Sequence, residues 1–442
     1  MTNPVDSKPR KKPKSLKDRL IRSVAGSFGV HIGSTALNFI VSIVLARLLN
    51  TEGFGIYSYA ITWVSLLSIP ANLGLDKLLV REVAVYKTQS DWGLMRGLLN
   101  WSNLLVLLIS IILALLTALV AWKINGNNQM FIPLCIALIA LPLTALRNLR
   151  LSAMKGLHQV VKSLIPEMII APILLLILTG CSYLLFPEKT APSWVLILYL
   201  ISTGLTFILG AFFLLQALPQ ELKKATANYK IKVWLSSAFP MMFIGAMQII
   251  NARTDILMLG AMKGPEAVGI YVVVNRGVQL IIFSQMAVNT VLAPTIASLY
   301  SEGKKEQLQK IVTKCSQGVL AISLLVTATL IIFGKGFLGI FGSDFSQGYV
   351  ALVILSIANL INAGSGSVGF LLSMTEHERF LALNIAISAI LNVLLNLFLI
   401  PIWGINGAAI ATGISMIARN IMNLIWVRLK LGVNSTAFGK IN

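Results

Sequence analysis

Residues 248–285 read QIINARTDILMLGAMKGPEAVGIYVVVNRGVQLIIFSQ. Two apolar stretches meet at a short turn, 263–266. Each carries charge that a lipid-facing helix would not tolerate: Arg253 and Asp255 on the first, Arg276 on the second. Working outward, residues 46–60 (ARLLNTEGFGIYSYA) repeat this design near the N-terminus. Matching Gly55-Ile56-Tyr57 to Gly269-Ile270-Tyr271 also matches Glu52 to Glu266, a constant offset of 214 in a chain of 442 residues. An offset so close to half the length implies two related halves.

Hydrophobic residues make up 56% of the chain and charged residues 12%, about half the roughly 25% charge of a soluble domain. Mean hydropathy is +0.82, and uninterrupted apolar runs of about 20 residues recur, as a polytopic helical membrane protein requires. Cys135, Cys181 and Cys315 lie in apolar segments without metal-ligand spacing and read as small buried or lipid-facing residues. The start of the chain, MTNPVDSKPRKKPKSLKDRL, is polar and basic and reads as a disordered cytoplasmic tail, 1–20. It lacks the small-residue cleavage site of a signal peptide.

Periodicity and hydropathy predict an all-α protein with twelve spans, six on each side of a polar connector. The first half, 21–218, holds spans at 22–48, 55–75, 94–122, 131–151, 164–186 and 194–218. The helix of the second span is expected to continue past 75 into the interface. The connector is 219–232, PQELKKATANYKIK. The second half, 233–429, holds spans at 233–259, 268–297, 311–333, 349–374, 380–400 and 405–426, and a cytoplasmic tail follows at 430–442. With the N-terminus inside, 28 lysines and arginines, Arg147 and Arg150 among them, fall on one side. Five fall on the other: Arg47, Lys123, Lys189, Lys263 and Lys335. This is a positive-inside pattern with both termini cytoplasmic. It also accounts for the net charge of +20 through anionic membrane lipid, so no nucleic-acid partner is required.

No loop is long enough for a soluble catalytic domain. The chain has no phosphate-binding glycine loop, HExxH, nucleophile elbow or His/Cys cluster, so it is read as a non-enzyme with no cofactor or metal. The charges left inside predicted spans are therefore the functional candidates. A charge near the bilayer centre costs at least about 2.5–3.5 kcal/mol. Arg253, Arg276 and Arg419 accordingly favour protein-lined, hydrated or ion-paired sites, where guanidinium groups attract a phosphate-bearing substrate. Asp255 is placed to pair with Arg276 across the hairpin. Glu167, beside Lys162, is a candidate either for pairing with a nearby base or for ion coupling. The amides Asn38, Asn251 and Asn275 add donors and acceptors for sugar hydroxyls, as do Gln248, Gln285 and Asn289. These amides, with Asn384, Asn392 and Asn396, serve helix–helix hydrogen bonding equally well. Gly364-Ser365-Gly366-Ser367 suggests close packing or a local break in the tenth span.

Four stretches carry a family resemblance: LARLLNTEGFGIYSYA at 45–60, LGLDKLLVREVA at 73–84, RTDILMLGAMKGPEAVGIY at 253–271 and WGINGAAIATG at 403–413. Together they resemble bacterial polysaccharide biosynthesis export proteins, the Wzx-type oligosaccharide flippases of the superfamily that includes multidrug and toxic compound extrusion transporters. The resemblance implies two six-helix lobes around a cationic cavity in a bacterial cytoplasmic (inner) membrane. It also implies a cargo of polyprenyl-pyrophosphate-linked oligosaccharide moved to the outer leaflet for cell-surface polysaccharide assembly, in company with other assembly proteins. Energy would come from sodium, a proton gradient or the membrane potential. The alternatives are a drug or organic-cation antiporter of the same fold and, second, a membrane polysaccharide polymerase.

Overall fold

The structure is a computed structural model describing residues 16–125, 129–188 and 191–439. Residues 1–15 of the expected basic tail, Lys189 and Lys440 lie outside these. Fourteen α-helices follow in order. The first half comprises α1 Leu16–Asn72, α2 Leu75–Gln89, α3 Trp92–Asn125, α4 Phe131–Gly156, α5 Val160–Ile165, α6 Ala171–Leu185 and α7 Pro192–Ala217. The short α8 Gln220–Lys224 precedes the second half: α9 Ile231–Lys263, α10 Pro265–Ser301, α11 Lys305–Gly339, α12 Tyr349–Ser365, α13 Val368–Met374 and α14 Glu378–Leu431.

Ten helical stretches among the described residues are long and apolar enough to cross a membrane, against the twelve expected. The difference lies in the two longest helices. α1 has 57 residues and leaves helical geometry once, at Asn50 (φ 57°). α14 has 54 residues and leaves it once, at Gly404 (φ 53°), three residues after Pro401. Asparagine and glycine are the residues that adopt this left-handed geometry at least cost.

Other boundaries differ for local reasons. The second span does not continue past residue 75, because Leu73 (φ 49°) and Gly74 (φ 76°) turn the chain. The following α2 is amphipathic, burying Leu75, Leu78, Leu79, Val83 and Tyr86 along one face. In the fifth span Pro166, which has no N–H to donate, opens a π-helical turn, Pro166–Ile170, between α5 and α6. The tenth span breaks at Gly366 (φ 76°), within the Gly-Ser run. The residues after α14 are not a free tail. Gly432 (φ 66°) turns the chain back, and Val433, Ser435 and Ala437 are buried at alternate positions. Ser316 Oγ donates to the Ser435 carbonyl at 2.9 Å, and the Ala437 N–H donates to the Gly364 carbonyl at 3.1 Å.

The two halves share one apolar core, at the end of the bundle where the turns after 49, 263, 341 and 403 lie. There Leu45, Phe54, Ile256, Tyr271, Phe341 and Ile400 pack into a single cluster. At the end bearing the termini the cores are separate. One gathers α2, α3 and α4 with Trp234 and Ala238 of α9, and the other gathers α10, α11 and α13 with the end of α14.

The repeated motifs meet inside the shared core. A Cβ on Gly55 would strike the Pro265 carbonyl oxygen, and a Cβ on Gly269 would strike the Thr51 carbonyl oxygen. Thr51 and Pro265 are themselves 214 apart, so this crossing of α1 and α10 is reciprocal under the sequence offset. Neither backbone can give way without parting the halves. Gly55→Ala is therefore expected to cost about 1–3 kcal/mol by overpacking, read as a lower melting temperature in detergent. Gly180→Ala, where nothing lies within 4 Å, should cost nothing. Equal melting of the two variants would contradict this contact.

Candidate functional site

The helices α9, α10, α12 and α14 enclose a cavity of about 450 Å³. Its lining includes Arg253, Arg276 and Arg419 with the amides Gln248, Asn251 and Asn275. A second cavity of about 280 Å³ lies against the first half and is lined by Asn38, Tyr57, Tyr199 and Arg147 among others. Arg253, Ile256, Val272 and Arg276 line both, so the two are neighbouring chambers sharing one wall. Arg253, Arg276, Arg419, Asn38, Gln248, Asn251 and Asn275 line one chamber or the other, whereas Gln285 and Asn289 lie away from both, bonded to Asn362 and Ser367 of the tenth predicted span.

Each chamber has one acid in its wall, Asp255 in the first and Glu167 in the second, and arginines outnumber it in both. Four ion pairs exist among the described residues, and none involves Arg253, Arg276 or Arg419. Arg276 donates from Nη1 to Gln279 Oε1 at 3.2 Å, while its buried Nε has no partner. An unpaired guanidinium away from bulk water is costly. Three together, with open donors facing a polar chamber, make a site suited to anions.

Asp255 does not pair with Arg276. It is buried, at 6% exposure, and is held by neutral donors from two other helices. Tyr271 of α10 donates its hydroxyl to Oδ2 at 2.9 Å, and Thr412 of α14 donates to the same oxygen at 2.5 Å. Asn396 Nδ2 donates to Oδ1 at 3.0 Å. Two residues along a helix is a rotation of about 200°, so Asp255 turns to α14 at one wall of the 450 Å³ cavity while Arg253 borders both chambers. Asn392 and Asn396 belong to this buried cluster, Asn396 donating to Asn392 Oδ1 at 3.0 Å. Asn384 bonds Asn423 at 2.8 Å. These three amides knit helices together.

Glu167 pairs with Arg150 and Arg147 rather than with Lys162. Arg150 is 4% exposed, forms an ion pair with Glu167, and donates from Nη1 to the Phe207 carbonyl at 2.8 Å. Arg147 Nη1 lies 3.4 Å from Glu167 Oε2. Both arginines, expected on the basic side, sit within α4, which runs five residues beyond the predicted end of the span. One carboxylate against two guanidiniums leaves a net positive charge, and Arg147 adds it to the second chamber. The signal was present in the sequence: Arg147 and Arg150 lie three apart on one helix face, and an acid at 167 in an apolar run needs a partner. Tyr57, Tyr199, Gln279 and Thr412 carry no comparable signal, since hydroxyls and single amides are common in helix packing.

Comparison with known proteins places this geometry in context. The chain is 24% identical over 409 residues to the probable low-salt glycan biosynthesis flippase Agl15 of Haloferax volcanii, covering 91% of this chain and 82% of that one. Among solved structures it superposes on the lipid II flippase MurJ in an inward closed conformation with a TM-score of 0.72 at 15% identity, covering 91% and 87%. It also superposes on an inward-facing multidrug resistance MATE family transporter of the MOP superfamily with a TM-score of 0.66 at 12% identity, covering 95% and 96%. These solved structures share its fold. The curated relative is archaeal, so the bacterial origin and Wzx type implied by the resemblance are not carried further. The sequence profile of one family, described as polysaccharide biosynthesis protein, matches residues 20–300. That match takes in more than half of the chain, including both Gly-Ile-Tyr repeats and two of the three unpaired arginines, and this polytopic membrane protein therefore belongs to the polysaccharide biosynthesis protein family.

Proposed function

We propose that the protein is a flippase that carries a polyprenyl-pyrophosphate-linked oligosaccharide from the cytoplasmic to the outer leaflet. The observation that carries this reading is the set of three arginines without acidic partners, Arg253, Arg276 and Arg419, around one cavity. A phosphate crossing hydrocarbon unaided faces a desolvation cost of roughly tens of kcal/mol. A cationic chamber replaces its lost hydration while the polyprenyl tail stays in lipid. The amides Asn38, Asn251 and Asn275 then supply hydrogen bonds to sugar hydroxyls. The name of the Haloferax relative, a glycan biosynthesis flippase, points the same way.

In this reading α1 and α14 each cross the membrane twice. A continuous helix of 57 residues would be about 85 Å long, far beyond the ~30 Å hydrocarbon core. The breaks at Asn50 and Gly404 divide each into two lengths that fit. Twelve crossings result, with 21–218 and 233–429 as two lobes, 219–232 between them and both termini in the cytoplasm. The shared core at one end and separate cores at the other support a state closed outside. Rocking about the Gly55–Gly269 crossing would reverse the opening. Asp255, buried among neutral donors, is the better coupling group; Glu167 is already neutralised by two arginines. Anionic lipids meet the basic face, and polysaccharide assembly proteins take the product.

The organic-cation alternative meets a physical obstacle. Of the two membrane acids, Glu167 is ion-paired and Asp255 is bonded by three donors, so the chambers present net positive charge to a cation. Vesicles containing the purified protein and a fluorescent polyprenyl-pyrophosphate oligosaccharide test the choice. The glycan should become accessible to a membrane-impermeant quencher on the opposite face. Movement of an organic cation without movement of the glycan would reject the reading, and a new glycosidic product would favour the polymerase.

A further inference from the structure

A third cavity, of about 150 Å³, lies towards the end bearing the termini, between the first half and α9. Its lining includes Asn72, Asp76, Lys77 and Asn148 on one side and Gly245 and Gln248 on the other. Three observations set it apart from a packing gap. Asn72 is 5% exposed, and its Oδ1 has no hydrogen-bond partner, which leaves a buried acceptor facing polar space. Lys77 is exposed and takes part in no ion pair among the described residues. Its ammonium reaches across to α9, where a Cβ on Gly245 would lie 3.3 Å from Nζ. Gln248 lines this cavity and the 450 Å³ cavity alike, so the two border the same side chain.

The chemistry is more selective than a basic patch. Lys77 supplies one cation for a phosphate. Asn72 Oδ1 and the Asp76 carboxylate supply acceptors, which a phosphate does not use and a sugar hydroxyl does. The volume equals about five waters of liquid, room for one sugar ring or one phosphate and not for an oligosaccharide.

We propose that this cavity is a loading subsite for the glycosyl-phosphate end of a membrane lipid. It takes the first sugar at the membrane surface, with the neighbouring phosphate held at the rim by the exposed Lys77 ammonium, before the headgroup passes Gln248 into the arginine-lined chamber. The proposal rests on the flippase reading and adds a site on the α2–α9 side, away from Arg253, Arg276 and Arg419.

The test is the initial rate of glycan translocation in vesicles against substrate concentration, with a polyprenyl-pyrophosphate oligosaccharide as probe. Lys77→Gln is expected to raise the half-saturating concentration about fivefold, as for loss of one exposed charge, with the rate recovered at saturation. The effect should fade at high salt, and Lys77→Arg should restore wild-type behaviour. Gly245→Leu, which fills the cavity from α9, should raise the half-saturating concentration in the same way. A wild-type protein that translocates the probe while Lys77→Gln and Gly245→Leu keep its half-saturating concentration would overturn the subsite and leave the flippase reading standing. A wild-type protein that moves no probe would overturn both. Competition by phosphatidylglycerol as strong as that by a polyprenyl-phosphate sugar would also overturn the subsite, because it would show that the sugar is not recognised.

Discussion

Replacing Arg276 with glutamine is expected to reduce translocation at least about thirtyfold, since truncating one partner of a buried charge pair costs roughly 2–5 kcal/mol. Arg276 lines both chambers, so whichever holds the pyrophosphate, this guanidinium borders it. The same substitution should leave the fold intact. Its hydrogen-bond partner among the described residues is Gln279 at 3.2 Å, and its Nε is buried without a partner. Removing it sacrifices a single hydrogen bond, worth about 1 kcal/mol, and relieves the burial of an uncompensated charge. Lysine at 276 keeps the charge and loses the planar fork, so it should restore part of the rate. Vesicle translocation and thermal unfolding of the same preparations check both halves of the prediction. A variant that unfolds instead would reveal a structural role for Arg276.

Glu167→Gln should behave in the opposite way. Arg150, 4% exposed, has Glu167 as its one acidic partner among the described residues. Removing that carboxylate strands a buried guanidinium at a cost of about 3–5 kcal/mol. The guanidinium cannot swing away, because it is held against the Phe207 carbonyl and fills the space above Gly210. A large fall in melting temperature is expected. Combining Glu167→Gln with Arg150→Met should recover most of it, because the one guanidinium then left without a carboxylate is Arg147, which is 25% exposed and faces the second chamber. Unchanged melting of the single variant would show that the pair is dispensable. Arg276 and Arg150 are thus both membrane arginines, one expected to matter for transport and the other for folding, and the difference is the presence of a carboxylate.

The sequence made the helical membrane class legible because hydropathy and run length report directly on burial in lipid. It also exposed the internal repeat, and the Gly-Ile-Tyr match proved to mark residues that touch across the halves. The arginines at 253, 276 and 419 stood out because charge in an apolar run is rare. What stayed hidden depends on which way a side chain points in three dimensions. Asp255 looked like a partner for Arg276, since sequence distance says nothing about three donors arriving from α10 and α14. Arg147 and Arg150 were counted with the basic side because they fall near the predicted end of the fourth span, and only packing against α7 shows that α4 continues to Gly156 and turns Arg150 inward. The docking of residues 433–437 followed from a break at Gly366 that the Gly-Ser run hinted at, while the segment that fills it lies 70 residues away.

The most direct test of the cationic chamber is a binding titration of the purified protein with polyprenyl pyrophosphate and with the matching polyprenol, which lacks phosphate. Wild type and the combined Arg253→Gln, Arg276→Gln and Arg419→Gln variant would be compared at low and high salt. Saturable binding of the pyrophosphate lipid to wild type is expected, weakening with salt and lost in a variant that remains folded. Equal binding of the two lipids, or undiminished binding of the pyrophosphate by the triple variant, would contradict it.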